Sequence, residues 1–516
     1  MDDGHEETPA ASLQLTVDGC AVSVRDDGGT LLEVLRGQLG ITSVKDGCSP
    51  QGQCGCCTVL VDGQARVSCV TPARRVAGRS VTTLDGLDVA EQAAWADAFC
   101  STGGSQCGFC TPGIVVRFAG LRGAGVDDTG RAARALHAHL CRCTGWQTVV
   151  EAWESYGTGT RPTTGDGAEA RATVEGRTAQ AVGPDVVLGR GGFAADTAPE
   201  GALVAIPDGV GGWAVGETLA EVRLAVGTVQ GRRTTIDALP PLDAPPGDWD
   251  AVLRTTWVEP AYLETDASWC EPGGEPVSPL ANGGAFGSKQ SSPTPAAARA
   301  LADEHGRAVL AVLTREDTVR LGAKRPPVAG GAMSDGSGVL RVVRTPGIAA
   351  VIGTVAPGLV VEEVDVAGPP TSVAIRAAGW AEALVLLAGA RGSAGRITSP
   401  DGAVATADVD ADGIRVSVRC GDPMDSTVLR SYCIGAAHMA WSWVTSEALA
   451  VDPDGVVHDL TVRSFGVVRA TETPHIDIRI EHDTGPPRNG SDAVFAAVAA
   501  ATWLYLGAPP DWPVGA

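Results

Sequence analysis

The chain has 516 residues and a formal net charge of −22; the length corresponds to roughly three domains of about 150 residues, and the acidic excess argues against nucleic acid or an anionic membrane surface as partner. No stretch approaches the ~20 apolar residues of a membrane span, VFAAVAAATWLYLG being too short. The opening MDDGHEETPA has neither the basic nor the apolar region of a secretory signal, so a cytoplasmic protein is expected.

Near the N-terminus, LQLTVDGCAVSV alternates apolar and polar residues around Asp18-Gly19, which predicts a hairpin. GTLLEVLRGQLGI then spaces its apolar residues as a helix does. The run GCSPQGQCGCCTVLVDGQARVSC follows, with Cys48, Cys54, Cys57 and Cys69 as one set of four. Gly47, Gly52 and Gly55 in this run suit a backbone wrapped closely around a cofactor with its N–H groups pointing inward. A second set is Cys107 and Cys110 (QCGFCTPG) with Cys141 and Cys143 (HLCRCTGW). Pro112 suits the first turn of a helix, and RAARALHAHL runs helically toward Cys141, so this set is expected at helix ends in a small bundle.

Four thiolates hold a [2Fe–2S] cluster, so the arithmetic predicts two clusters. A disulfide framework would need an oxidising compartment. Zinc also takes four cysteines, but its structural sites are usually built from CxxC knuckles. Here the second set ends in Cys-x-Cys, and the first opens on a five-residue loop, Ser49 to Gln53. His137 and His139 read as surface or packing residues, because each set already has four cysteines.

Residues 157–180 are rich in Gly, Thr and Ala and read as a linker, flexible or an ordered surface connector. Beyond it, 181–516 mixes β-like runs (DGIRVSVRC, VHDLTVRSFGVV) with helical ones (TPAAARALADEHG, SDAVFAAVAAATWLYLG), which gives the class α+β. Gly makes up 67 of 516 residues, nearly twice the usual share of about 7%, in keeping with a loop-rich remainder. Cys20, Cys100, Cys270, Cys420 and Cys433 show no pairing pattern and are expected to be buried free thiols. Dinucleotide, Walker, HExxH and GxSxG motifs are missing from the sequence.

Residues 11–156 resemble the iron–sulfur subunit of the xanthine oxidase, or molybdenum hydroxylase, family, with QCGFCTPG and LCRCTG the most specific signatures. The resemblance implies a plant-type ferredoxin (β-grasp) domain over 1–90, a helical [2Fe–2S] domain over 91–156, a linker over 157–180, and two clusters held by the eight cysteines named above. Two features depart from the family: five residues rather than four between Cys48 and Cys54, and Cys56 where alanine is usual. Cys56 is either a bystander or an alternative ligand.

The second half carries fainter likenesses to the family's large molybdenum-binding subunit. PAYLETDASWCEP is similar to a YLET segment, NGGAFGSKQ to a GGGFGGK loop, and SVAIRAAGW to a substrate loop that places Arg376 at its arginine. PRNGSDAVF falls where the family has the glutamate that serves as catalytic base. Here that place is Ser491-Asp492. Arg376 and Asp492 lie 116 positions apart, where the family keeps several hundred residues. Residues 181–516 are therefore expected to be a shrunken, cofactor-free relative of that subunit, with no catalytic residue of their own.

The function implied is an electron-transfer subunit of a multi-subunit molybdenum hydroxylase. Molybdopterin and FAD are expected in partner chains, namely a molybdenum-binding catalytic subunit and an FAD subunit. Two alternatives stand: a self-contained molybdopterin oxidoreductase, or a non-catalytic redox or scaffold protein.

Overall fold

The structure is a computed structural model that describes residues 12–159, 167–227, 236–278 and 284–515. The opening segment MDDGHEETPA, residues 160–166 of the expected linker, and Asn282 and Gly283 of the glycine loop lie outside the described residues. The fold is mixed α+β, with four sheets and a core continuous from the cysteine-rich region into the second half.

The expected hairpin is β1 (Ser12–Val17) and β2 (Cys20–Arg25), paired antiparallel with Val17 opposite Cys20. Asp18 at φ 51° and Gly19 at φ 78° supply the two positive-φ positions of a two-residue turn. With β3 (Thr58–Val61), β4 (Gln64–Val67) and β5 (Ser80–Thr82) they form a sheet of order β2-β1-β5-β3-β4. The expected helix after the hairpin is short: one α turn, Leu31–Glu33, widens into π geometry over Val34–Gln38. Thr30 caps it with Glu33 in a reciprocal capping box, and Leu31, Leu32, Val34 and Leu35 face the core.

Helices Val89–Thr102, Thr111–Gly123, Thr129–Ala135 and Gln147–Ser155 follow. Trp95, Phe99, Phe118, Trp153 and Tyr156 pack among them, with Trp95 and Tyr156 stacked at 3.9 Å between centroids. Pro112 lies in the first turn of its helix, as expected. The helix before Cys141 stops earlier than the sequence suggests: a 3-10 turn, Leu136–Ala138, ends it, and His139 is extended.

The segment expected to be a linker is more than a surface connector, because Ala168–Gly176 is a helix that buries Arg171 and Glu175 completely. They pair with each other at 2.8 Å. Arg171 also donates to the carbonyls of Asp422, Pro423 and Arg488, and Glu175 accepts from the N–H groups of Gly490 and Ser491. These partners lie hundreds of residues away, beyond the reach of any local pattern.

Three further sheets build the second half. β6 (Leu203–Pro207), β7 (Trp213–Gly216), β9 (Ala267–Cys270) and β10 (Val309–Val312) have order β7-β6-β10-β9, with helix Thr294–His305 on one face. β8 (Ala251–Thr255), β11 (Val328–Ala332), β12 (Gly338–Val343), β13 (Leu359–Val364) and β18 (Asp511–Trp512) have order β13-β12-β11-β8-β18 and carry helix Trp380–Arg391. β14 (Ile397–Thr398), β15 (Val404–Asp410), β16 (Gly413–Arg419) and β17 (Ile476–Ile480) form the last sheet in chain order. Helix Gly490–Tyr505 lies between this sheet and helix Ser426–Thr445, buried from Gly490 to Trp503. Its alanines let backbones approach on every side, which explains an apolar run too short for a membrane. Among the described residues no helix is long and apolar enough to cross one.

Two sequence expectations fail here. VHDLTVRSFGVV makes no strand; it holds a 3-10 turn, Val462–Phe465, ending at Gly466. A Cβ on Gly466 would lie 1.9 Å from the Ser446 carbonyl oxygen, so the chain turns there against the end of helix Ser426–Thr445. Cys20 is exposed, because it opens β2 at the hairpin turn, whereas Cys100, Cys270, Cys420 and Cys433 are buried free thiols as expected. Trp443 is buried in the core against Phe495 and Trp512, and Trp441 is half-buried.

Candidate iron–sulfur centres and the remnant cleft

The eight cysteines come together as two groups of four, and all eight are buried. In the second group the Cys107 and Cys143 sulfurs stand 3.5 Å apart, and the Cys110 thiol contacts that of Cys141. The Cys110 contact, helped by Thr144, pulls the Cys141 thiol down to about 6, while Cys110 is pushed up by the same contact and by burial. In the first group the Cys48 thiol contacts those of Cys54 and Cys69, and Cys69 also contacts Cys57. A [2Fe–2S] rhombus takes two thiolates on each of two irons, which suits the two pairs of the second group and the four thiols in sequence, Cys54, Cys48, Cys69 and Cys57, of the first. A single tetrahedral ion instead needs four thiolates converging on one point, and among the described residues no group of three or more His, Cys, Asp or Glu closes on such a point.

Donors reach several of these sulfurs. Gln51 N–H lies 3.1 Å from Cys48 Sγ, Cys69 N–H 3.4 Å from Cys57 Sγ, and Thr144 Oγ1 3.1 Å from Cys141 Sγ. The first loop depends on glycine in two ways. Gly52 and Gly55 adopt φ 69° and 73°, and a Cβ on Gly47 would meet the sulfurs of Cys54 and Cys56, both at 3.1 Å. The loop is also held from the second half. Gln51 donates to the Leu460 carbonyl and to Glu316, both at 2.8 Å, and accepts from Val462 N–H, while Gln53 accepts from Arg463 N–H. That is where the backbone of the expected strand spends its hydrogen bonds.

Cys56 is buried between the two groups. Its thiol contacts Cys54, and it is close enough to Cys48, Cys57 and Cys141 for their charges to act on it. Cys57, by contrast, faces Cys69. Cys56→Ala is accordingly expected to retain full iron content, and Cys57→Ala to lose half of it, measured as iron per chain on purified protein. The reverse result would make Cys56 the ligand. His139 is buried against Gly55 and stays neutral, burial and then the Arg117 charge pushing it down to about 3.

Sequence reasoning did not anticipate how far the second half encloses the second group. Arg142, between Cys141 and Cys143, makes a two-pronged bond to Glu447 at 2.6 and 2.7 Å and donates to the Pro260 carbonyl. Gln106 donates to the Cys143 carbonyl and to Ser431, and Trp146 to the Val468 carbonyl. On the first loop, Arg315 donates to the Gly47 carbonyl. No sequence pattern links Arg142 with Glu447, so these contacts had no signal to find them by.

The fainter likenesses also converge. Phe286 of the glycine loop, Arg376, Ser491 and Asp492 meet at one place although Arg376 and Asp492 are 116 positions apart. Arg376 Nε is 3.2 Å from Asp492 Oδ1, an Arg376 terminal nitrogen is 2.9 Å from Ser491 Oγ, and its guanidinium lies 3.7 Å over the Phe286 ring. Arg177 pairs with the other Asp492 oxygen. The space left among Phe286, Arg376, Trp443 and Phe495 is about 30 Å³, room for a water or two. Cofactor sites run to about 300–1,000 Å³. These residues fill the place themselves and do not fit a molybdopterin, and Asp492, held between two arginines, is not a free base.

Residues 83–154 match the [2Fe-2S] binding domain family. The nicotine 6-hydroxylase small subunit of Paenarthrobacter nicotinovorans is 41% identical over 133 residues, 26% of this chain and 78% of that protein. The xanthine dehydrogenase iron-sulfur-binding subunit of Escherichia coli O157:H7 is 36% identical over 155 residues, 28% of this chain and 92% of that protein. The aldehyde oxidoreductase of Megalodesulfovibrio gigas is 42% identical over 148 residues, which are 27% of this chain but only 16% of that much longer relative. The solved aldehyde oxidoreductase from Desulfovibrio gigas superimposes with a TM-score of 0.68 at 15% identity, over 95% of this chain and 97% of that one, a likeness of fold.

The matched domain and these relatives define the class as an iron–sulfur-binding oxidoreductase. The chain belongs to the molybdenum hydroxylase family, whose best-known members are the xanthine and aldehyde oxidoreductases.

Proposed function

We propose that this chain is the iron–sulfur electron-transfer component of a multi-subunit molybdenum hydroxylase, working in the cytoplasm beside a molybdenum-binding catalytic subunit and an FAD subunit. The gathering of eight buried thiols into two groups of four carries this reading. Cys48, Cys54, Cys57 and Cys69 would hold one cluster in a ferredoxin-like domain over 1–90, and Cys107, Cys110, Cys141 and Cys143 the other in a helical domain over 91–156. Such clusters, when bound, supply one-electron oxidation and reduction. The residues around them exclude water, and the N–H and O–H groups aimed at Cys48, Cys57 and Cys141 offset thiolate charge.

In this reading 181–516 is a scaffold without catalysis, since its remnant cleft is filled by Arg376, Asp492 and Phe286. It would hold the cysteine module and dock it against an intact molybdenum subunit. A second reading, a self-contained molybdopterin oxidoreductase, draws on the fold match across 95% of the chain; the filled cleft weighs against it. Metal analysis of the tagged protein purified from its own host tests both. Iron near four per chain is expected, with molybdenum only in a co-purifying larger subunit that a salt wash or sizing step removes. Molybdenum that stays with the isolated chain at one per chain would overturn the proposal in favour of the second reading.

A further inference from the structure

A further cleft contains none of the cysteine ligands and lies apart from the remnant cleft, although Ser49 and Phe109, each next to a ligand, line it. About 350 Å³ in volume, it lies between the first module and the β7-β6-β10-β9 sheet. Along β6 and β10 the side chains alternate: Leu203, Ala205, Val309 and Ala311 pack under helix Thr294–His305, which leaves Val204, Leu310 and Val312 to face the other way, into the cleft. Leu32 closes it from the first module, and the rings of Phe109 and Phe193, packed edge to face at 4.9 Å, form a wall.

Most of the charged groups on this wall are already matched. Lys45 and Arg36 share Asp196, and Arg223 donates to Asp46 and Ser49. Two atoms are exceptions among the described residues: Arg223 Nε, and one oxygen of Glu264, the acid of the YLET segment. Glu264 is 3% exposed; its Oε2 accepts from Lys289 at 2.5 Å, but among the described residues its buried Oε1 has no hydrogen-bond partner. Burial, only partly offset by Lys289, lifts this carboxyl to about 7. A buried acceptor with an empty lone pair is costly, and buried polar groups are almost always satisfied by something.

We infer that this cleft is a binding site for a small one- or two-ring aromatic molecule carrying an O–H or N–H donor. The rings pack against Phe109, Phe193, Val204, Leu310 and Val312, and the donor reaches Glu264 Oε1. The volume is at the lower end of the range for small-molecule sites, about 300–1,000 Å³. The walls are mainly apolar, with charged side chains such as Asp46, Asp196 and Glu264 among them, and apolar walls with a few placed polar groups are the usual composition of such a site. The inference does not depend on the clusters, because nothing in the cleft is a cysteine ligand.

Calorimetric titration of the full chain tests it with two probes of like shape, 2-naphthol and 2-methoxynaphthalene, which differ in the O–H donor. At pH 8.5, where a carboxyl lifted to about 7 is ionised, one 2-naphthol per chain is expected, bound at least tenfold more tightly than the ether, a hydrogen bond to a charged acceptor being the larger kind. Glu264→Gln is expected to bring the two probes within about threefold of each other. Val312→Trp fills the cleft and is expected to weaken both probes at least tenfold, with Val204→Phe, at a half-buried position, serving the same purpose should the first fold poorly. The site is overturned by absence of saturable binding, by equal affinity for the two probes in the unaltered protein, or by filled variants that fold and still bind. The metal analysis above is unaffected by any of these outcomes.

Discussion

Replacing Cys143 by alanine is expected to remove one of two distinct paramagnetic signals from the reduced protein and to leave the other in place. Iron should fall from near four to near two per chain. The geometry behind this is local: Cys143 meets Cys107 at 3.5 Å, with no sulfur of the first group among its contacts. An iron left with one thiolate of its pair has no substitute nearby. Cys56, the spare sulfur, sits against Cys54 and on the other side of the group, toward Cys141. Cys48→Ala is the matching control and should abolish the opposite signal. Survival of both signals in Cys143→Ala would mean that the second set is wrongly assigned.

The cysteine sets were legible in the sequence because their chemistry is local. Cys54 and Cys57, Cys107 and Cys110, and Cys141 and Cys143 are each fixed by a turn or a helix start of two or three residues, and spacing alone records that. Gly52 and Gly55 were legible for the same reason, since positive φ is a property of a single residue. The burial of Ala168–Gly176 was not. Its Gly, Thr and Ala composition signals a linker, and only Asp422, Pro423, Arg488 and Gly490 make Arg171 and Glu175 interior. Likewise 457–468 has the alternation of a strand, but Gln51 and Gln53 of the first cysteine loop take the N–H groups that a ladder would have used. Arg376 and Asp492 illustrate the reverse case. The short interval between them argued against a working site, and they do meet, but as an ion pair that occupies the space a cofactor would need.

The enclosure of the second cysteine group by the second half has a sharp consequence at one atom. Gly435 sits in the middle of helix Ser426–Thr445, where alanine would ordinarily be favoured by about 1 kcal/mol. A Cβ there would stand 1.7 Å from the Cys143 carbonyl oxygen, far inside van der Waals contact, and the obstacle is backbone on both sides. Overpacking of a close-packed core commonly costs about 1–3 kcal/mol, and an overlap this deep forces the helix and the Cys141–Cys143 turn apart. The contact term therefore outweighs the propensity term, and Gly435→Ala is expected to destabilise the protein by at least about 2 kcal/mol net. The same displacement breaks the Gln106 bonds to the Cys143 carbonyl and to Ser431 that fix the turn. Iron should then be lost from the second set and not from the first, so Gly435→Ala, though it touches no thiol, is expected to reproduce the spectrum of Cys143→Ala. Ala437→Gly, on the same helix, is the control: it carries the propensity and small-cavity cost without the clash and should keep both signals. If Gly435→Ala retains both signals and melts at or above the temperature of the unaltered protein, helix Ser426–Thr445 does not pack against the second cysteine group, and the second half is an appendage rather than part of its enclosure.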